Sequence, residues 1–146
     1  MAKCEIKLPE DLIEKISKLG SKTDEIVEEA LTAGAEVTLP YVKRALHDVI
    51  GDDLKSHGGK SRSTGELERS LGASPMKIDK NGNANIKIGF KEPRGDGKSN
   101  AKIANIIENG KHGRPPKPFL KPAIRSARKA CRDAVIKTFE EEISKL

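Results

Sequence analysis

Eight lysines and arginines fall between Lys111 and Arg132, and no Asp or Glu falls among them. Lys111, Arg114 and Lys117 sit on a proline-rich link, and Lys121, Arg125, Arg128, Lys129 and Arg132 follow on a stretch with helical period. Spacing of three or four residues puts Lys121, Arg125, Arg128 and Arg132 on one helix face. Such a face can hold phosphate oxygens without reading bases, so it suits a nucleic-acid backbone. It suits an acidic protein surface equally well. Phe119 is the only aromatic residue nearby, which argues against stacking on single strands.

The other 20 basic residues are outnumbered by the chain's 22 acidic ones, and residues 1–55 are acidic on their own, with 12 Asp/Glu against 8 Lys/Arg. That asymmetry can steer a polyanion to the basic segment. It can also let one subunit's acidic helix meet a neighbour's basic one, head to tail. An ordinary solvated surface with a basic bias is the plainer reading of the same residues.

No other set of residues makes a convincing site. Gly59-Lys60-Ser61 and Gly97-Lys98-Ser99 resemble the end of a phosphate loop, but Leu54 and Glu92 stand where its first glycine is needed. Asp79 to Asn83 has oxygen ligands at alternate positions, yet Ala84 and Phe90 occupy the places where a calcium loop needs Gly and Glu. His47, His57 and His112 are far apart, and Cys4 and Cys131 have no paired spacing with each other or with histidine. No nucleophile, base and orienting group stand together. These absences point away from an enzyme, a cofactor or a metal site.

The elements that must position the basic face follow from periodicity. A helical region is expected over 9–55, with Pro9 at a helix start, a stop at Gly20 and a new start at Ser21 to Asp24. Its apolar stripe runs Ile26, Val27, Ala30, Leu31, then Val42, Ala45, Leu46, Val49, Ile50 and Leu54. Pro40 interrupts it, so a kink between Gly34 and Pro40, or two abutting helices, is expected. Residues 56–65 and 91–100 read as flexible loops. Thr64 to Leu71 reads as a short helix or turn. Met76–Asp79 and Ala84–Phe90 read as a hairpin joined at Asn81-Gly82, with positive φ at the centre of a tight turn.

Residues 101–109 make two helical turns closed by Gly110, and an amphipathic helix runs from Pro122 through Ile124, Ala127, Cys131, Ala134, Val135, Phe139, Ile143 and Leu146. With 146 residues and few aromatics, the chain should form one domain spanning 1–146, its core built from aliphatic side chains. The fold class is α+β: a small antiparallel β-sheet packed by a long N-terminal helical region and a C-terminal helix. No apolar run approaches the length of a membrane span, and the N-terminus lacks the order of a secretory signal. The chain is therefore expected in the cytosol of the cell that makes it.

Three segments in order resemble a known family. They are Thr64-Gly65-Glu66-Leu67-Glu68-Arg69-Ser70-Leu71; Ile103 to Gly110, with Glu108-Asn109-Gly110 closing it; and Lys117-Pro118-Phe119-Leu120-Lys121-Pro122-Ala123. Together they are similar to the tail-component, or head–tail neck, family of long-tailed phages named after gene product ten of coliphage Hong Kong ninety-seven. Ile103 stands where that family usually has an aromatic. The resemblance implies a non-enzymatic virion subunit at the head–tail junction, made in the host cytoplasm. It implies a homo-oligomeric ring around the DNA channel, with connector or adaptor and tail-tube proteins as neighbours. Pro118, Phe119, Leu120 and Pro122 would anchor the last helix, with Phe119 and Leu120 as core pegs. The basic residues would line a channel, touching DNA without sequence choice, or meet the next subunit. A small basic, non-sequence-specific DNA-binding protein is the alternative.

Overall fold

A computed structural model describes residue 20, residues 22–56 (backbone only at 51–56), residues 65–92, 94–95 and 97–146. The expected helix start at Pro9 and most of the loop 56–65 lie outside the described residues. Helix α1, Thr23–Ser56, begins with Asp24 and Glu25 in its first turn, where acids favour the positive end of the helix dipole. Its buried positions are Ile26, Ala30, Gly34, Thr38, Val42 and Leu46, one every fourth residue. Four residues overshoot a 3.6-residue turn by roughly 40°, so this row winds around the helix.

The expectation of two abutting helices is not met: α1 runs through Pro40 as one element. The carbonyl deprived of its N–H partner is that of Glu36, and both Glu36 and Pro40 are exposed, so solvent can take over the lost bond. On the inner face Thr38, 9% exposed, donates its hydroxyl proton to Gly34 O at 2.8 Å, so burial leaves no polar atom unpaired. The middle of the stripe is thus carried by small residues, which the apolar pattern alone did not include.

After the short helix α2, Glu66–Ser70, the chain turns directly into strand β1, Leu71–Ala73. The other strands are β2, Lys77–Ile78, β3, Ala84–Asn85, and β4, Ile88–Phe90. β1 pairs antiparallel with β4 through Leu71↔Phe90 and Ala73↔Ile88, and β2 pairs antiparallel with β3 through Lys77↔Asn85 and Ile78↔Ala84. The two ladders form one long hairpin, and Ser74 N–H, donating to Lys87 O at 2.8 Å, ties its arms between them. Its turn corrects the sequence reading. Gly82 alone has positive φ there (82°), and Gly82 N–H donates to Asp79 O at 3.1 Å. That is a three-residue loop with glycine in the left-handed position, and Asn81 lacks the positive φ expected at both central residues. The Asp79 carboxylate accepts from the N–H groups of Asn83 (2.9 Å) and Asn81 (2.8 Å), which hold its pKa below the ordinary value.

Helix α3, Asn100–Asn109, and helix α4, Leu120–Ser144, complete the described chain. α4 starts two residues earlier than the sequence suggested. It packs along α1 with opposed direction: Gly34 lies against Cys131 and Val135, whereas Val42 and Leu46 share a cluster with Phe119 and Ala123. That cluster also takes in Leu67, Leu71 and Ala104, with Ile88, Phe90, Ile103 and Ile107 packed against it. Phe119 is 1% exposed and meets Phe90 edge to face, ring centroids 6.5 Å apart. This α+β arrangement, small antiparallel sheets between a long first helix and a last helix packed on it, is the fold class expected.

Two substitutions probe this packing. A Cβ at Gly34 would lie 2.6 Å from Val135 Cγ2 and 3.2 Å from Cys131 Sγ, and both residues are on a rigid helix. Gly34→Ala should therefore destabilise by about 1–3 kcal/mol through overpacking, against the roughly 1 kcal/mol that Ala gains in helix propensity. A higher melting temperature would mean that the helices do not meet at this glycine. Phe119→Ala should cost about 3–5 kcal/mol in chemical denaturation.

Candidate functional site

Between α3 and α4 the chain must leave one helix, turn, and start another whose outer face carries the basic stripe. Gly110 ends α3, its N–H donating to Ile106 O at 2.8 Å with φ 75°. A Cβ there would come within 2.8 Å of both Arg114 O and Pro116 N, which are backbone atoms, so only glycine fits. Lys111 and Arg114 then exchange backbone hydrogen bonds of 3.1 and 2.8 Å across a tight turn. Lys117 N–H returns to Ile107 O at 2.8 Å, tying the link to the end of α3.

The start of α4 has no capping side chain of its own, because its N-cap residue is Phe119. Glu108 supplies the cap from α3. Its carboxylate accepts from the N–H groups of Phe119 (2.8 Å), Leu120 (2.8 Å) and Lys121 (3.1 Å). The next residue, Pro122, has no N–H, and Ala123 N–H already bonds Phe119 O at 3.2 Å. Every amide that a helix start leaves without a partner is therefore satisfied by one carboxylate and one proline. Burial, with the residue 8% exposed, is the largest single influence on Glu108 and pushes its pKa up. The bonds from Leu120, Phe119 and Lys121 and the charge of Lys121 together outweigh it, and the pKa lies below the ordinary value.

Around the start of α3 a second set of polar groups is bonded into the fold. Glu92 accepts from Ala101 N–H at 2.8 Å and the Ser99 hydroxyl at 2.7 Å, and these bonds lower its pKa. Asn100, 2% exposed, donates to Lys91 O at 2.9 Å and accepts from Arg94 at 3.2 Å. Glu66 accepts from Gly95 N–H at 2.6 Å and pairs with Arg94 at 3.7 Å. The segment read as a loop at 91–100 is thus bonded to α2 and α3 at these residues.

The basic residues singled out from the sequence lie on the outside of this frame. Lys111 and Arg114 are exposed on the tight turn, and Lys121, Arg125, Arg128 and Arg132 are exposed along α4. Among the described residues, no acidic side chain forms an ion pair with Arg125, Arg128 or Arg132. Lys117 is half-buried and has a partner of its own. Of the four anchor residues, Phe119 fills the core, Leu120 packs against it half-buried, and Pro118 and Pro122 are exposed. The fold thus brings four cations onto one continuous face and sets two more on the turn before it. Arranged so, they can hold a row of anionic groups.

Glu108 was not singled out by its chemistry. A signal was present: it is the single acidic residue between Asp96 and Asp133, and a helix start follows that has no Ser, Thr, Asp or Asn of its own.

A long helix, a hairpin, a glycine-stopped helix and a capped last helix define an α+β structural domain with a charged outer face. Over residues 10–110 the chain matches the family described as "Bacteriophage HK97-gp10, putative tail-component", and it belongs to that family. The match takes in Thr64 to Leu71 and Ile103 to Gly110 and ends before Lys117 to Ala123. No curated protein and no solved structure matches the chain. Among the described residues, no helix is long and apolar enough to cross a membrane.

The cap has a testable consequence. Glu108→Gln leaves one acceptor oxygen in place of a buried carboxylate and should destabilise by about 2–4 kcal/mol. Because the folded pKa is lowered, the cap contributes fully above the ordinary value of 4.5 and is lost as pH falls through the lower folded value. The stability gap between wild type and Glu108→Gln should therefore be widest near neutral pH, narrow as pH falls below 4.5 and close once it has passed the lowered folded value. A gap independent of pH would show that the charge of Glu108 does not hold the helix start.

Proposed function

We propose that this protein is a non-enzymatic virion subunit at the head–tail junction, a neck or tail-completion component that forms a homo-oligomeric ring around the DNA channel. Its neighbours on that reading are connector or adaptor and tail-tube proteins, and its location is the virion, after assembly in the host cytoplasm. Membership of the tail-component family supports the class. The observation that carries the assembly reading is the exposed row Lys121, Arg125, Arg128 and Arg132, whose three arginines form no ion pair with an acidic side chain among the described residues. A face of one sign needs its counter-charge from outside the subunit.

Among the described residues, the acids with shifted pKa values are bound by the fold itself. Glu108, Glu92 and Asp79 all have lowered pKa values because backbone N–H groups bind them, so they serve as caps and turn ties. A general acid poised for neutral pH needs the opposite shift.

Light scattering behind size exclusion, over a range of protein concentrations in moderate salt, tests the reading. A discrete closed oligomer formed without DNA is the expected result. A monomer at every concentration, with DNA affinity that falls steeply with salt, would instead identify a small basic DNA-binding protein that contacts the phosphate backbone without sequence choice.

A further inference from the structure

The ring reading leaves open which surfaces meet, and two outer helix faces answer it. On α1, Glu25, Glu28, Glu29 and Glu36 are all exposed on the solvent side of the helix. They border a shallow concavity of ≈ 350 Å³ lined, among the described residues, by these four and by Thr32 and Ala33. On α4, Lys121, Arg125, Arg128 and Arg132 form the exposed basic row. Resting on the ring reading, we infer that the acidic face of α1 takes the basic row of α4 from a second copy of this chain.

The two rows match in length and in step. Glu25 and Glu36, like Lys121 and Arg132, are eleven positions apart, about 16 Å along a helix. Laid antiparallel, Lys121 faces Glu36, Arg128 faces Glu29 beside Glu28, and Arg132 faces Glu25. Arg125 then falls opposite Thr32, above the concavity, where a long side chain has room. The rows cannot satisfy one another within a subunit. Counting roughly 100° per residue, each lies about a third of a turn or more from the line where α1 and α4 touch. Because the two helices run in opposite directions, those rotations carry the rows to opposite sides of the pair.

Placement on opposite sides also fixes the kind of contact. A two-fold dimer would need both rows on one side, so the contact is head to tail, and repetition closes a ring or extends a filament. In one subunit the acidic row lies level with the C-terminal half of α4, because Gly34 lies against Val135 and the charge of Glu29 is among those that raise the pKa of Lys145. The basic row lies at the other end of the pair, near Val42 and Leu46. Successive copies are therefore staggered along the helices, and the helical pair is inclined to the axis of any closed ring.

Two charge-reversed full-length chains test the contact, one with Arg125→Glu and Arg128→Glu, the other with Glu28→Arg and Glu29→Arg. Sedimentation velocity should show self-association weakened by about tenfold or more in each alone, because like charges then face one another. All these side chains are exposed, so thermal melting should stay near wild type. In an equal mixture both contacts regain opposite signs, and assembly should return. Assembly of either reversed chain as in wild type would place the interface elsewhere and leave the ring reading standing. Failure of the mixture to recover would likewise overturn the pairing of these two rows. A wild-type chain that never self-associates would overturn both. If a reversed chain melts early, the neutralised pair R125Q/R128Q gives the same readout, with a smaller loss expected.

Discussion

The start of the last helix hangs on a single buried carboxylate. Glu108 sits at the end of α3, yet its three acceptor contacts are to Phe119, Leu120 and Lys121, across a turn and three prolines. Without it, three amides beside the core would lack partners, and each such group costs about 1–3 kcal/mol. Phe119 is both the residue that donates first and the largest side chain in the core, so the polar cap and the apolar packing are fixed by the same atoms. The Glu108-Asn109-Gly110 ending of α3 gains a physical meaning here. Glutamate caps the next helix, and glycine lets the chain turn back closely enough to reach it.

From that point the outer face of α4 inherits its direction. Ala123 and Ala127 face inward as small residues, which lets α4 lie close to α1, and Gly34 allows the same approach further along. Large side chains on these rows would hold the helices apart and rotate the basic row relative to the sheet. With so few aromatics, the domain relies on this close approach and on Phe119 meeting Phe90. Its polar loops are joined by backbone N–H groups bound to Glu66, Glu92 and Asp79. A chain built so spends its acids on internal ties around the hairpin and α3, while α1 and α4 keep theirs, and their cations, on the outside.

How much of this the sequence showed depended on whether the cause was local. The helix stop at Gly110, the hairpin around Asn81-Gly82 and most of the amphipathic period of α4 are local, and they were legible, although Ile124 and Leu146 of the expected stripe are exposed. Strand β1 was not, since Leu71-Gly72-Ala73 is too short to alternate and is defined by its pairing with β4. Of the two outcomes expected at Pro40, two abutting helices did not follow: propensity records the bond a proline removes, but not that Glu36 and Pro40 are both exposed, where solvent can replace that bond. Thr38 and Gly34 were invisible as core because the close approach of a distant helix makes them so. Glu108 matched a pattern without a role, because its partners are backbone groups more than ten residues away. The exposed basic row was plain from spacing, whereas the acidic row stood out only once α1 was seen to keep those glutamates outside.

The central claim is a place in the virion, and imaging tests it most directly. Phage particles released by a host that carries the gene for this chain can be labelled with a gold-conjugated antibody against it and examined by electron microscopy. Label confined to the boundary between head and tail is the expected result. Label spread along the tail, or particles that carry none of the chain, would contradict the account.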